Sequence, residues 1–146
     1  MFEKYLEDRV QVVEQITDWK ESIRLAAVKL LEKGYINSNY IDAMINNVIV
    51  NGSYIIILPR IAIPHSRPET GAFKTSMSLL KLNKPVMYPE GKEVNLIMVL
   101  AANDNKSHLE LIAELSTFLE SRETLNEIFN ATHPSQIHDI LAKAKI

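Results

Sequence analysis

No cysteine occurs in the 146 residues, which removes disulfides, thiolate metal sites, redox pairs and any cysteine nucleophile. Glycine is scarce, 4 residues against 6 prolines, and the glycine-dependent phosphate cradles G-x-x-x-x-G-K-[ST] and G-x-G-x-x-G are missing. So are G-x-S-x-G and H-E-x-x-H, and nucleotide-driven, triad and zincin chemistry lose their support. Positive charge is not in excess either: 16 basic against 18 acidic side chains leave a net charge of −2 and a pI near 6.1. No global field gathers phosphate backbones, so nucleic acid is not expected as a partner. Long apolar runs are lacking as well. Ile55-Ile56-Ile57-Leu58 and Leu96 to Ala102 fall far short of the roughly 18 residues of a membrane span. The opening residues Met1 to Asp8 lack the basic start and apolar run of a signal peptide. The expectation is a cytoplasmic protein without direct membrane insertion.

What is present suits one globular domain over residues 1–146: 47% hydrophobic and 23% charged residues, enough to bury a sizeable core. Val10 to Ile16 reads as a strand. Asp18 reads as the cap of a helix over Trp19 to Lys33, in which Ile23, Ala26, Ala27, Leu30 and Leu31 recur at helical spacing until Gly34 stops it. Ser38 or Asn39 caps a second helix that ends at Asn51-Gly52. β-Branched runs then predict strands at Tyr54 to Leu58, Ile61 to Ile63, Thr75 to Leu82 and Val94 to Ala102, with a brief edge piece at Pro85 to Met87 and a turn at Pro89 to Lys92. Ser107 with Glu110 forms a capping box for a helix to Leu119. Helices over Ser121 to Ala131 and Ser135 to Lys145 follow, separated by His133-Pro134. The fold class is α/β: a central mixed sheet of about four to five strands flanked by helices on its faces. Ligands in such folds sit where strands hand over to loops and helices, here around His65 and around Asn103 to His108.

Four histidines are available. His65 stands at a strand end with its backbone braced by Pro64 and Pro68, a setting for a nucleophile or acid/base with one ring nitrogen bonded and the other free; a solvated turn histidine is the alternative. His108 falls in the first turn of a helix, where free N–H groups welcome an anion, although an exposed first-turn histidine is the commoner case. His133 and His138 read as structural or surface residues. Their spacing suits no helical ligand pair, and no metal site is expected. Arg60 and Arg67 flank His65 and could neutralise a phosphoryl oxygen, or pair with Glu69 or Glu90 instead.

The run Ile61-Ala62-Ile63-Pro64-His65, followed by Val94 to Ala102 and then His108-Leu109 ahead of Leu111 and Leu115, resembles the enzyme IIA components of the sugar phosphotransferase system (PTS), mannitol/fructose-type superfamily, type 2. The similarity covers nearly the whole chain. Pro64-His65-Ser66-Arg67-Pro68-Glu69-Thr70-Gly71, with Ala101-Ala102 and Ser107-His108-Leu109, is most similar to the ascorbate branch.

The resemblance implies that His65 accepts a phosphoryl group on Nε2 from phospho-HPr and passes it to a cysteine of a IIB component, which serves a membrane IIC permease. It implies that His108 donates a hydrogen bond to that group, and that neither cofactor nor metal takes part. L-Ascorbate is the first sugar it suggests, with a hexitol or fructose system next, and a nitrogen-type regulatory module as a further alternative. Mannitol-type members carry a basic residue near the end of the second helix, where this chain has Asn46-Asn47. Arg67 and Arg60 are the candidates to replace it. A loose phosphoryl transfer asks mainly for positioning and neutralised oxygens. An apolar rim from Ile61, Ile63 and Val99 to Ala102 is expected to exclude water and to dock partners weakly. Without cysteine, the chain cannot contain a fused IIB domain of that type.

Overall fold

The computed structural model describes residues 5–143. Four strands form one sheet in the order β1-β3-β4-β2, with β1 at Val10–Val13, β2 at Arg60–Ala62, β3 at Ser76–Tyr88 and β4 at Lys92–Ala101. β3 and β4 are antiparallel, and the outer strands β1 and β2 run parallel to their neighbours. Helices α1 (Trp19–Glu32) and α2 (Ser38–Asn51) cover one face; α3 (Asn105–Leu119), α4 (Arg122–Asn130) and α5 (Pro134–Lys143) cover the other.

The two-residue period of the strands builds both cores at once. Along β4, Ile97, Val99 and Ala101 enter the cluster under α1 and α2, while Leu96, Met98 and Leu100 enter the cluster under α3 to α5. These side chains are fully buried. At about 1.5–3 kcal/mol for each large apolar side chain, the central strands anchor the fold. Two buried hydroxyls on the strands are paired. Ser78 Oγ on β3 donates to the Ala26 carbonyl of α1, and Tyr88 Oη meets Ser22 Oγ at 2.8 Å.

Several expected elements differ. Tyr54 to Leu58 is not a strand. Its apolar side chains are divided between the faces, Ile55 and Ile56 on the α1–α2 side and Leu58 on the other, so the chain crosses the sheet edge. Thr75 to Leu82 and the piece at Pro85 form one strand, β3, with a register shift between Lys81 and Val86 that takes up the proline. The cap of α2 is Asn37, whose side chain accepts the Tyr40 N–H at 3.0 Å. Asp18 stands at the N-cap of α1 without a side-chain bond. The end of the last predicted helix, beyond Lys143, lies outside the described residues.

Candidate functional site

β2 and β4 are parallel neighbours, so both deliver their following segments to the same end of the sheet. His65 follows β2 through Ile63-Pro64, and the Pro64 carbonyl accepts the Leu100 N–H at 3.0 Å, extending the pairing to the histidine's doorstep. The His65 Nδ1 lies 2.8 Å from the Ile63 carbonyl oxygen. A carbonyl only accepts, so Nδ1 carries the proton and Nε2 keeps its lone pair. The Tyr54 ring stands edge-on to the imidazole at 6.0 Å between centroids.

His108 reaches the same place from β4. After Ala101 the chain turns at Asp104, whose carboxylate accepts the Ser107 N–H at 2.7 Å and whose carbonyl accepts the His108 N–H at 3.1 Å. Asp104 is therefore the cap of α3, and Ser107 lies inside the helix instead of starting a capping box. The backbone bond from Ser107, with its side chain next, holds the Asp104 carboxyl below its ordinary pKa. The rings of His108 and His65 are 5.8 Å apart at 43°. Burial first, and then the nearby His65, hold the pKa of His108 below the usual value. Near neutrality His108 is an uncharged ring with one N–H to give.

Between them opens a cleft of about 390 Å³. Asn47 and Asn51 of α2 and Tyr54 form one wall, His65 to Pro68 the floor, and Asn105 and His108 of α3 the other wall. The Asn47 amide nitrogen is 3.4 Å from both the His65 carbonyl and Ser66 Oγ, and its side chain also interacts with the Tyr54 hydroxyl. The Thr70 hydroxyl donates to the Arg67 carbonyl at 2.7 Å and lies 3.1 Å from Ser66 Oγ, folding the loop after His65 onto itself. Behind that loop, buried Tyr40 of α2 touches both Ser66 and Leu100.

Of the residues singled out in the sequence, His65, His108 and Arg67 meet at this cleft. Arg60 does not. It is the first residue of β2, at φ +73° after Pro59; its Nε donates to Asn95 Oδ1 at 2.9 Å, and its guanidinium lies 4.2 Å from the Phe129 ring centroid. It lines a separate cleft with Lys92 and Glu93, at the opposite end of β2. The expected apolar rim is also different, because Ile61, Ile63 and Val99 to Ala101 are core residues at 0–1% exposure. The exposed apolar side chains on the elements flanking the cleft are Ile49 and Val50 of α2 and Leu109 of α3. His133 is at the surface, bonded to Ser135. Among the described residues, no group of three or more His, Asp or Glu side chains is placed to hold a metal ion. Sequence reasoning missed Tyr40, Asn47 and Tyr54 as parts of the site. Tyr40 sits on the helical apolar stripe and Tyr54 opens an apolar run, while the asparagine pair drew notice only for the charge it lacks.

The family model for the phosphoenolpyruvate-dependent sugar phosphotransferase system, EIIA 2, matches residues 4–144. The mannitol-specific cryptic phosphotransferase enzyme IIA component of Escherichia coli (strain K12) is 40% identical over 138 residues, 94% of each chain. The solution structure of the mannitol-specific cryptic enzyme IIA from Escherichia coli superposes with a TM-score of 0.92 at 38% identity, covering 98% of this chain and 99% of that one. The ascorbate-specific PTS system EIIA component of Escherichia coli (strain K12) is 27% identical over 126 residues, 84% of this chain and 82% of its own. A complex of mannitol enzyme IIA with phosphorylated mannitol enzyme IIB, also from Escherichia coli, shares the fold through its IIA chain, with a TM-score of 0.80 at 20% identity over 94% of this chain and 96% of that one. With the family model spanning almost every residue, the chain belongs to the type 2 enzyme IIA components of the sugar phosphotransferase system.

Proposed function

We propose that this protein relays a phosphoryl group through Nε2 of His65, from phospho-HPr to the cysteine of a IIB component. The observation that carries the reading is the bond from Nδ1 to the Ile63 carbonyl, which leaves Nε2 unprotonated beside the cleft. In the first step the Nε2 lone pair forms a bond to phosphorus as the P–N bond of the donor histidine breaks and its electron pair returns to that nitrogen. In the second, a cysteine thiolate of IIB forms the P–S bond while the pair returns to Nε2. Neither step needs an oxidant, a metal or a nucleotide.

Such transfer is governed by positioning and by neutralisation of the equatorial oxygens. His108 supplies an N–H, Arg67 a mobile positive charge, and Asn47 and Tyr54 uncharged donors on the same cleft. A neutral His108 avoids setting a second cation against the imidazole that must accept phosphorus. Exposed Ile49, Val50 and Leu109 give protein partners a modest apolar footing, in keeping with encounters that must end quickly. That a relative of this fold has been solved with phosphorylated IIB supports IIB as the acceptor. No helix among the described residues is long and apolar enough to cross a membrane, and in the proposed relay the sugar's passage belongs to a IIC permease.

For the sugar, the order suggested by the Pro64 to Gly71 string is reversed. The 40% identity to a mannitol-specific component, against 27% to the ascorbate-specific one, favours a hexitol system. Incubation with phosphorylated HPr, followed by mass spectrometry under mildly alkaline conditions, tests the relay. One labile phosphoryl group, absent from His65→Ala, is the expected result. No label on a folded sample with an active donor, or label retained in the variant, would overturn it. Transfer onward to a mannitol IIB in preference to an ascorbate IIB would establish the sugar class.

A further inference from the structure

The hydroxyl of Tyr40 lies inside the protein, on a side chain 1% exposed, and adds a second tie between two segments already paired through the Leu100 N–H and the Pro64 carbonyl. Its oxygen is 2.7 Å from the Leu100 carbonyl near the end of β4, and the Ser66 N–H donates to it at 3.1 Å. The single phenolic proton goes to Leu100, and an oxygen lone pair receives Ser66. Burial pushes the phenol's pKa up to about 12, so this proton stays in place throughout the neutral range. Ser66 directly follows His65; Leu100 precedes the turn from which α3 and His108 start.

The peptide groups around His65 are also held by the Ile63 N–H on the Ile55 carbonyl, by the Leu100 N–H on Pro64 and by the long Asn47 contact on the His65 carbonyl. The Tyr40 hydroxyl is the short, buried link on the far side of the histidine. We infer that Tyr40 is a positioning residue, whose hydroxyl fixes the separation and tilt of the His65 and His108 rings by bracketing Ser66 to Leu100. It touches neither phosphorus nor the partner, so it acts on the rate of transfer within the docked complex and leaves docking alone. The inference rests on the phosphoryl-carrier reading of His65.

A control is built into the same molecule. Tyr88 is also 1% exposed, and its hydroxyl is also paired, with Ser22, but in the core beneath α1, away from the cleft. Tyr40→Phe and Tyr88→Phe each delete one buried hydroxyl and keep the ring. In single-turnover transfer from phospho-HPr, Tyr40→Phe should lower the maximal rate about tenfold, because small misplacements of reacting groups are costly, with the donor concentration for half-maximal rate unchanged. Tyr88→Phe should leave both values at wild type. Equal slowing of the two variants, or full speed in both, would overturn the inference while wild-type labelling on His65 kept the carrier reading intact. An unlabelled wild type would overturn both.

A fluorinated tyrosine at position 40 preserves ring and fold while weakening the oxygen as an acceptor, and should slow transfer partially and shift the Ser66 amide proton resonance. An unmoved Ser66 signal with an unchanged rate would equally overturn the role.

Discussion

Ile63 holds His65 by its own carbonyl: the imidazole Nδ1 turns back 2.8 Å onto the residue two positions earlier. The tautomer is thus set by local backbone, before any partner arrives. Long-range proton–nitrogen NMR near pH 8 should find Nδ1 protonated and Nε2 bare, with phosphorylation shifting Nε2. A proton on Nε2 in the resting protein would contradict the assignment.

His108→Ala should still be phosphorylated on His65, since the nucleophile is untouched, but transfer should slow on the order of a hundredfold, as for the loss of one preorganised donor. Rapid-quench measurements with donor and with IIB would read this, and unchanged rates in both directions would remove His108 from the mechanism.

The lowered pKa of His108 has a thermodynamic counterpart. Its folded value lies below that of the unfolded chain, so the folded state binds its proton less readily. Its stability is unaffected above the unfolded value of about 6.5 and falls as pH drops through that value toward the folded one. Urea midpoints should therefore decline between about pH 7.5 and pH 5.5 more in wild type than in His108→Gln. An identical decline would place the effect elsewhere.

The two arginines beside His65 in sequence should part company in kinetics. Arg67→Ala should reduce transfer by about three- to tenfold, with the deficit shrinking at high salt because this side chain is exposed. Arg60→Ala should transfer at the wild-type rate, because its guanidinium is engaged by Asn95 and Phe129.

Gly71 ends the short turn Pro68–Thr70 with φ +138°, and a Cβ there would run into the Asn37 side chain. Asn37 caps α2 and also donates its N–H to the Gly71 carbonyl at 3.0 Å. Gly71→Ala should cost about 1–3 kcal/mol, combining backbone strain with a disturbed cap. Because Tyr40 stands on that first turn, transfer should slow as well. Denaturant melts and transfer rates on the same sample check both.

The helices were legible because their apolar residues recur at 3.6 spacing, His65 because it follows a strand-like run between prolines, and His108 because it falls in the first turn of a helix. Residues of the Tyr54 to Leu58 type defeat such reading: an unbroken β-branched segment looks alike whether it pairs in a sheet or divides its side chains between two cores, and only the tertiary crossing at the sheet edge decides. Arg60 misled for a related reason. Nearness in sequence to His65 says nothing once β2 separates them along its length, with Arg60 at one end and His65 beyond the other. Tyr40 was readable as a core position and unreadable as a bracket, since its hydroxyl partners come from Ser66 and Leu100, remote in the chain. Asp104 and Asn37 cap α3 and α2 where the sequence pointed to Ser107 and to Ser38 or Asn39, a difference of a few residues that local propensity does not resolve.

The crossing segment also bears on how the chain survives its own synthesis. Ile55-Ile56-Ile57-Leu58 is uncharged, apolar, rich in β-branched isoleucine and free of proline, the composition of a sequence that stacks with copies of itself. In the native protein the Ile55 carbonyl takes the Ile63 N–H at 2.9 Å, and Ile55 is 1% exposed. Folding thereby buries Ile55 and ties its backbone to the residue that orients His65, while Ile57 stays 55% exposed. Loosening this tie would uncover Ile55 and unsettle the imidazole together, so one backbone contact bears on both the stickiness of this segment and the setting of the nucleophile.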